Sequence, residues 1–431
     1  MSQLVKKVIL NSKKDFNKEE LPMIEIIDAP CGRGKTSYAI NKINSSEDKV
    51  VYVTPFLSEV DRMTKECKRL CSPDTKESDT KVEDFVRLLK EGKSIATTHS
   101  LFKGFNDDCY RLIKENGYSL IFDEVITTVK TYGITVDDIN MLEGMNKIKV
   151  IGDSKEIIWI APEYNGQFNV FKKAVEKGSI YMVKISDKEK YVIAWELPLE
   201  KFVNFKDITI LTYLFEGSEM SCYFKMNGIP YTLYSLVDYK KVPYDKHTEN
   251  REALKALINV YDGKANKNFG DSKTALSVNW YKSKKNKNAV KQLNKNTANY
   301  FKNIVKSSTK DLLWTCYTED IDRLDNNYCT SKNWDVKDTK KKTFLSFNTR
   351  ATNDFRDRHN LAYMVNPFVN PIVAQYFSYK GDVVLDNDLY AVSNLIQWIC
   401  RSAVRDGKPV NLYLPSQRMR DLLNKFFNYE I

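Results

Sequence analysis

The chain is poor in residues that bind metal through side-chain nitrogen or sulfur. Its 3 histidines, at 99, 247 and 359, do not cluster with its 8 cysteines, at 31, 67, 71, 109, 222, 316, 329 and 400. No Cys-x-x-Cys pair occurs, which argues against zinc, and thiols so scattered in a large chain do not read as a disulfide framework. No apolar run reaches the roughly 20 residues that a membrane span needs. The opening Met1-Ser-Gln-Leu-Val-Lys-Lys-Val lacks the apolar centre of a secretory leader. The expectation is a cytoplasmic protein with no membrane partner and no zinc. One further absence is local. Between Ser272 and Lys310 there is no Asp or Glu, while lysines stand at 273, 282, 284, 285, 287, 291, 295, 302, 306 and 310, with Tyr281, Tyr300 and Phe301 among them. Lysines interleaved with aromatics suit phosphate contacts and base stacking.

What is present is a globular composition. Hydrophobic residues make up 42% of 431, and aromatics 12%, enough for more than one buried core. The net charge of +11 is mild overall, so the basic stretch stands out against it.

The most informative segment is Asp28-Ala-Pro-Cys-Gly-Arg-Gly-Lys-Thr36. It follows the β-branched run Ile24–Ile27 and precedes Ser37–Ile43, which reads as helix. Strand, glycine-bearing loop and helix start come in the order that a phosphate-binding loop needs. Gly32 and Gly34 can turn backbone N–H groups onto an anion, and the helix N-terminus adds further unpaired donors. Lys35 can reach the β- and γ-phosphates, and Thr36 can place its hydroxyl on Mg²⁺. Ala29 stands where the first glycine of the pattern is usual.

Downstream, Val50–Phe56, Ser94–Ser100, Tyr118–Val125 and Asp207–Tyr213 read as buried strands alternating with helices. That pattern predicts a parallel sheet, in which ligands collect at the carboxyl ends of the strands. Thr36, Thr54, Thr98 with His99, and Asp123 with Glu124 all lie just past such ends. An acid there can hold Mg²⁺ or its water, and a second can polarise an attacking water. The second half also reads as α/β, with strands at 230–236, 311–317, 342–347 and 410–415. Gln397, Arg401 and Arg405 are spaced i, i+4, i+8 on an expected helix, legible from 389 to 404 and stopping at Gly407, so they would share one face and could point across a cleft at a nucleotide. The expected units are 1–225, with a β-rich elaboration near 150–200, and 226–431, with a basic helical insert near 245–310.

In this order the motifs resemble those of a superfamily 2 DNA/RNA helicase, DEAD-like and of the phage-encoded type. Ala29–Thr36 resembles motif I, Thr54-Pro55 motif Ia, and Thr97-Thr98-His99 the nucleic-acid contact of the first lobe. Asp123-Glu124 resembles motif II, Leu211-Thr212-Tyr213 motif III, Trp314-Thr315 motif IV and Arg350-Ala351-Thr352-Asn353 motif V. Gln397, Arg401 and Arg405 resemble motif VI, although its second arginine comes one residue later than usual, and Tyr213 stands where a small residue is more common. The resemblance implies two RecA-like parallel-sheet lobes with a nucleotide cleft between them and an ATP hydrolase coupled to nucleic acid. ATP would bind at Ala29, Pro30, Cys31, Gly32, Arg33, Gly34, Lys35 and Thr36. Mg²⁺ would sit at Thr36 and Asp123, Glu124 would activate water, and Gln397, Arg401 and Arg405 would complete the site. Thr54, Pro55, Thr98, His99 and Thr352 would touch the backbone of a nucleic acid, DNA rather than RNA, with low sequence specificity. Two rivals stay open. A terminase-like packaging ATPase would add a nuclease, for which Asp354, Asp357, Asp382, Asp386 and Asp388 are available. A non-translocating binding protein would use ATP only as a switch.

Overall fold

The computed structural model describes residues 21–76, 78–153, 155–188, 190–266, 271–330, 342–349 and 354–431; the expected contact Thr352, with the rest of Arg350–Asn353, lies outside them. The chain first lays down β1 (Met23–Asp28), β2 (Val50–Thr54), β3 (Leu70–Cys71), β4 (Ser94–Thr98) and β5 (Ser119–Asp123). It then leaves for an antiparallel sheet of β6 (Val129–Tyr132), β7 (Ile148–Ile151), β8 (Glu156–Trp159), β9 (Ile180–Ser186) and β10 (Lys190–Glu196). It returns with β11 (Asp207–Thr212), β12 (Thr232–Val237) and β13 (Lys240–Pro243). The first sheet runs β13-β12-β1-β11-β5-β2-β4-β3, parallel except for the β12–β13 hairpin at one edge. A second, wholly parallel sheet follows, ordered β14-β17-β16-β15, from β14 (Ile258–Val260), β15 (Leu312–Thr315), β16 (Asn360–Tyr363) and β17 (Val410–Tyr413). β2 and β5 are buried along their whole length, as continuous apolar runs covered on both faces must be. The expected α/β fold with two parallel-sheet lobes is the fold observed.

Four helices matter below: α1 (Lys35–Ser45), α2 (Pro371–Gly381), α3 (Asn387–Ile399) and α4 (Gln417–Phe427). The boundary expected at 226 is crossed in both directions. β12 pairs in parallel with β1 and so belongs to the first sheet. Val369, Val373, Tyr376, Phe377 and Leu385, far along the second half, are buried in the first lobe's apolar core. The cause is non-local: β1 needs a second neighbour, and the apolar face of α2 finds its cover there. The β-rich segment is the antiparallel sheet over 129–196, and it shares the first lobe's apolar core. α2 packs on it, and Lys380 places its ammonium 2.6 Å from both carboxylate oxygens of Glu196.

Three local expectations are corrected. The segment 342–347 is not a strand; Phe344 makes one isolated bridge to Trp314, and β16 supplies the ladder partner. The helix expected over 389–404 ends at Ile399. The Ser402 hydroxyl donates to the Ile399 carbonyl at 2.6 Å and accepts from the Val404 N–H at 3.4 Å, so local side-chain bonds compete with the helix. Arg401 and Arg405 therefore lie past the helix and do not share its face with Gln397. In the basic segment Tyr281, Tyr300 and Phe301 are buried core residues, at most 1% exposed, so they do not stack bases.

Candidate nucleotide site between the lobes

The loop after β1 is built from its glycines. Gly32 and Gly34 have φ of +79° and +82°, a region that L side chains rarely adopt. Ala29 needs no such freedom. It is 1% exposed, packs its methyl group into the core, and donates its N–H to the Thr212 carbonyl at 3.0 Å. That explains how alanine replaces the usual glycine. Asp28, at the end of β1, accepts the N–H groups of Leu214 and Phe215 at 2.7 and 2.9 Å, tying the loop to the turn after β11. Burial nevertheless pushes its carboxyl up to about 6. Lys35 begins α1 and curls its ammonium back onto the carbonyls of Ala29 and, at 3.1 Å, Pro30. Thr36 is the next residue of α1, whereas Arg33 is exposed at the loop tip.

Asp123 ends β5. The Tyr52 hydroxyl donates to it at 2.7 Å, and burial, then the neighbouring Glu124 charge, push it up to about 6. Glu124 has φ of +81°, a strained conformation for a non-glycine residue, held by its N–H bond to the Leu211 carbonyl at 2.8 Å. Its Oε2 is buried and has no partner.

The second lobe supplies Arg401, which is 3% exposed with Nε and Nη2 buried and unpartnered. Burial opposes its charge, but Cys31, Glu124, Cys400 and Asp123 outweigh that and hold the guanidinium above its ordinary value. The carbonyl of Arg405 lies 3.6 Å from where a Cβ on Gly32 would stand, so the 400–405 segment abuts the phosphate loop. Burial lowers the Arg405 guanidinium, and Arg401 adds to that. Gln397 does not enter the loop. Its amide donates to the Tyr213 carbonyl at 3.3 Å, and Ser393 donates to the same oxygen at 3.5 Å. Tyr213 is a latch between the lobes, because its hydroxyl also donates to Glu249 at 2.8 Å and Glu249 pairs with Arg251.

The residues expected to touch nucleic acid are placed less openly. Thr54 is fully buried with an unpartnered hydroxyl, so it does not face a strand from this conformation. Thr98 caps the short helix 99–103 by accepting from the Leu101 N–H, and Pro55 is half-buried. His99 is largely buried, edge-on to Phe122, and burial holds its imidazole down to about 4. Exposed instead beside them are Phe56 and Leu57, at 38% and 58%. A cleft of about 1070 Å³ opens where the lobes meet, lined by Trp280, Tyr317, Phe347, Phe368 and Tyr390. Lys273, Lys282, Lys284 and Lys285 are exposed and adjoin in sequence the cleft residues Thr274 and Ser283. Three of the five carboxylates open to a nuclease reading have structural uses. Asp386 caps α3, Asp382 ends α2, and Asp388 pairs with Arg418. Among the described residues no group of three or more His, Cys, Asp or Glu is placed to hold a metal ion.

Sequence reasoning passed over Asp28, Tyr52, Tyr213's hydroxyl and Cys400. Only Asp28 carried a signal, as an acid at a strand end against the loop.

A curated relative, the SPbeta prophage-derived uncharacterized protein YonV of Bacillus subtilis (strain 168), is 34% identical over 421 residues, covering 93% of this chain and 97% of that one. The chain belongs to the YonV family. Residues 252–427 match the family model described as the YonV C-terminal Rossmann-like domain, which takes in β14–β17 and the arginines. The solved structure of S. tokodaii Xpd4 is similar at 13% identity with a TM-score of 0.48, covering 96% of this chain and 95% of that chain.

Proposed function

We propose that this YonV-family protein is an ATP-dependent nucleic-acid translocase or helicase that hydrolyses ATP between its lobes. One observation carries the reading: the buried, partnerless Arg401 guanidinium of the second lobe shares the seam with Cys31 of the phosphate loop and the Asp123–Glu124 pair of the first. Two positive-φ glycines, an orphaned carboxylate and an orphaned guanidinium are what a bound nucleoside triphosphate and its Mg²⁺ would satisfy.

Ala29–Thr36 would hold the phosphates, and Thr36 and Asp123 the Mg²⁺, which when bound neutralises developing charge on the phosphates. Lys35 would exchange its loop carbonyls for phosphate oxygens. Glu124 would orient and deprotonate a water, its free Oε2 being the acceptor. Arg401, with Arg405 beside it, would neutralise charge on the transferring group from across the cleft. Gln397 and Ser393, through Tyr213, would pass closure to the turn that Asp28 holds.

The aromatic cleft and the exposed lysines that adjoin it in sequence suit a single strand: rings stack bases, and ammonium groups follow phosphates. DNA is the expected partner, with low sequence specificity. The prophage origin of the relative supports a setting in phage replication or recombination, in the host bacterial cytoplasm.

The test is ATP hydrolysis by the purified protein with and without single-stranded DNA, beside Lys35→Ala and Glu124→Gln. DNA-stimulated turnover lost in both variants is the expected result. Turnover indifferent to nucleic acid would reject the motor, and no turnover with DNA still bound would favour a switch.

A further inference from the structure

Two thiols meet where the lobes meet. Cys31 lies in the loop after β1 and Cys400 at the end of α3, close enough that each thiol shifts the other's titration. The contact sits in a larger interface. Cys31 packs against the second lobe's apolar cluster, to which Cys400 belongs, and Gly32 abuts the Arg405 carbonyl. Cys31 is half-buried and Cys400 is 4% exposed, so Cys31 is the more accessible residue of the two.

The electrostatic setting differs from that of the other thiols. Cys400 and then Arg401, Lys35 and Arg405 outweigh burial and hold the Cys31 thiol well below its ordinary range. Burial raises the thiols of Cys67, Cys71, Cys109 and Cys222, the last two to about 11. A thiolate ringed by cations, with a second thiol in contact, is the arrangement of a reactive cysteine and its resolving partner.

We propose that Cys31 and Cys400 are a redox modification site, in which a hydroperoxide joins them in a disulfide that ties the phosphate loop to the second lobe. The Cys31 sulfur attacks one peroxide oxygen. The O–O bond breaks, and the other oxygen leaves with a proton as alcohol or water, so Cys31 becomes a sulfenic acid. The Cys400 sulfur then attacks the Cys31 sulfur, the S–O bond breaks, and a water leaves with the Cys400 proton. Two thiols lose two electrons, and the peroxide takes both. The bond would fix the loop against the turn that carries Arg401 and Arg405, so the lobes could not part to admit a nucleotide. That blocking role rests on the function proposed above; the disulfide itself does not. In a reducing compartment such a bond is transient and serves sensing.

The test treats the full-length protein with hydrogen peroxide, blocks free thiols, digests it without reduction and reads peptide masses. The Cys31 and Cys400 peptides are expected to be linked, to separate on reduction, and to stay unlinked in Cys400→Ser and Cys400→Ala. Peroxide that leaves Cys31 free, or carries it to the sulfinic acid without a link, would overturn the proposal. Binding of a fluorescent ATP analogue is measured in parallel. Oxidation should weaken it by about tenfold or more in the unsubstituted protein and not in Cys400→Ser. A linked protein that binds the analogue normally would overturn the blocking role alone. Reduced protein that binds none would overturn the ATP reading, while the linked peptide would still establish the site.

Discussion

Arg401 shows what a buried side chain without a partner signals. A guanidinium has five N–H donors in a fixed fork, and leaving two of its nitrogens dry and unmatched is costly unless a ligand completes them. Arg401→Lys keeps the charge and loses the fork. Its turnover is expected to fall by ~10³-fold with the melting temperature little changed, which steady-state hydrolysis and calorimetry would check. His99 makes a different prediction. Its imidazole is held down to about 4 in the folded chain, against about 6.5 when unfolded. Between those values the unfolded chain binds the extra proton, so this group's share of stability is present above pH 6.5 and is lost as pH falls toward 4. Asp28, pushed up to about 6, titrates with the opposite sign, since the folded chain then holds the extra proton. The comparison must therefore be wild type against His99→Leu in urea. The pH-dependent part of their stability difference should grow on acidification, approaching ~3 kcal/mol, and a constant difference from pH 7 to 4 would refute the assignment.

At the scale of elements, the phosphate loop and the β12–β13 hairpin constrain each other. A Cβ on Gly34 would stand 2.3 Å from the Tyr239 ring, and Tyr239 itself has φ of +62° in the hairpin turn. Gly34→Ala is therefore expected to cost about 1 kcal/mol for its φ of +82° and more for the ring. Adding Tyr239→Ala should return the second part only, a non-additivity that denaturant titration of the four proteins would measure. The strand, loop and α1 were legible because glycine and proline mark them locally. The end of α3 was not. Nothing in its apolar periodicity warns that Ser402 will turn its hydroxyl inward to the Ile399 carbonyl. β16 was missed because its short apolar run has no alternation and follows a polar stretch.

At the scale of the molecule, the described residues join the lobes where the loop after β1 meets 400–405 and where Tyr213 meets α3 and Glu249. Tyr213→Phe removes one donor from a carboxylate that is 7% exposed. A loss of about 1–2 kcal/mol is expected, read as a lower urea midpoint, with Gln397 still bonded to the Tyr213 carbonyl. Lys380→Ala should cost about 1 kcal/mol, read as a lower urea midpoint, since the lysine of its ion pair with Glu196 is 37% exposed and water screens the pair.

The sequence by itself determined the α/β class, the strand, loop and helix start at residues 24–36, and the acids at the end of β5. Each is written in residues close together in the chain, where backbone freedom, apolar periodicity and charge act locally. Only the tertiary structure decided that β12 and α2 complete the first lobe, that Tyr281, Tyr300 and Phe301 are core, that Thr54 is buried, and that Cys31 meets Cys400. Those outcomes depend on which apolar faces find cover across long stretches of chain, and no local pattern encodes that choice.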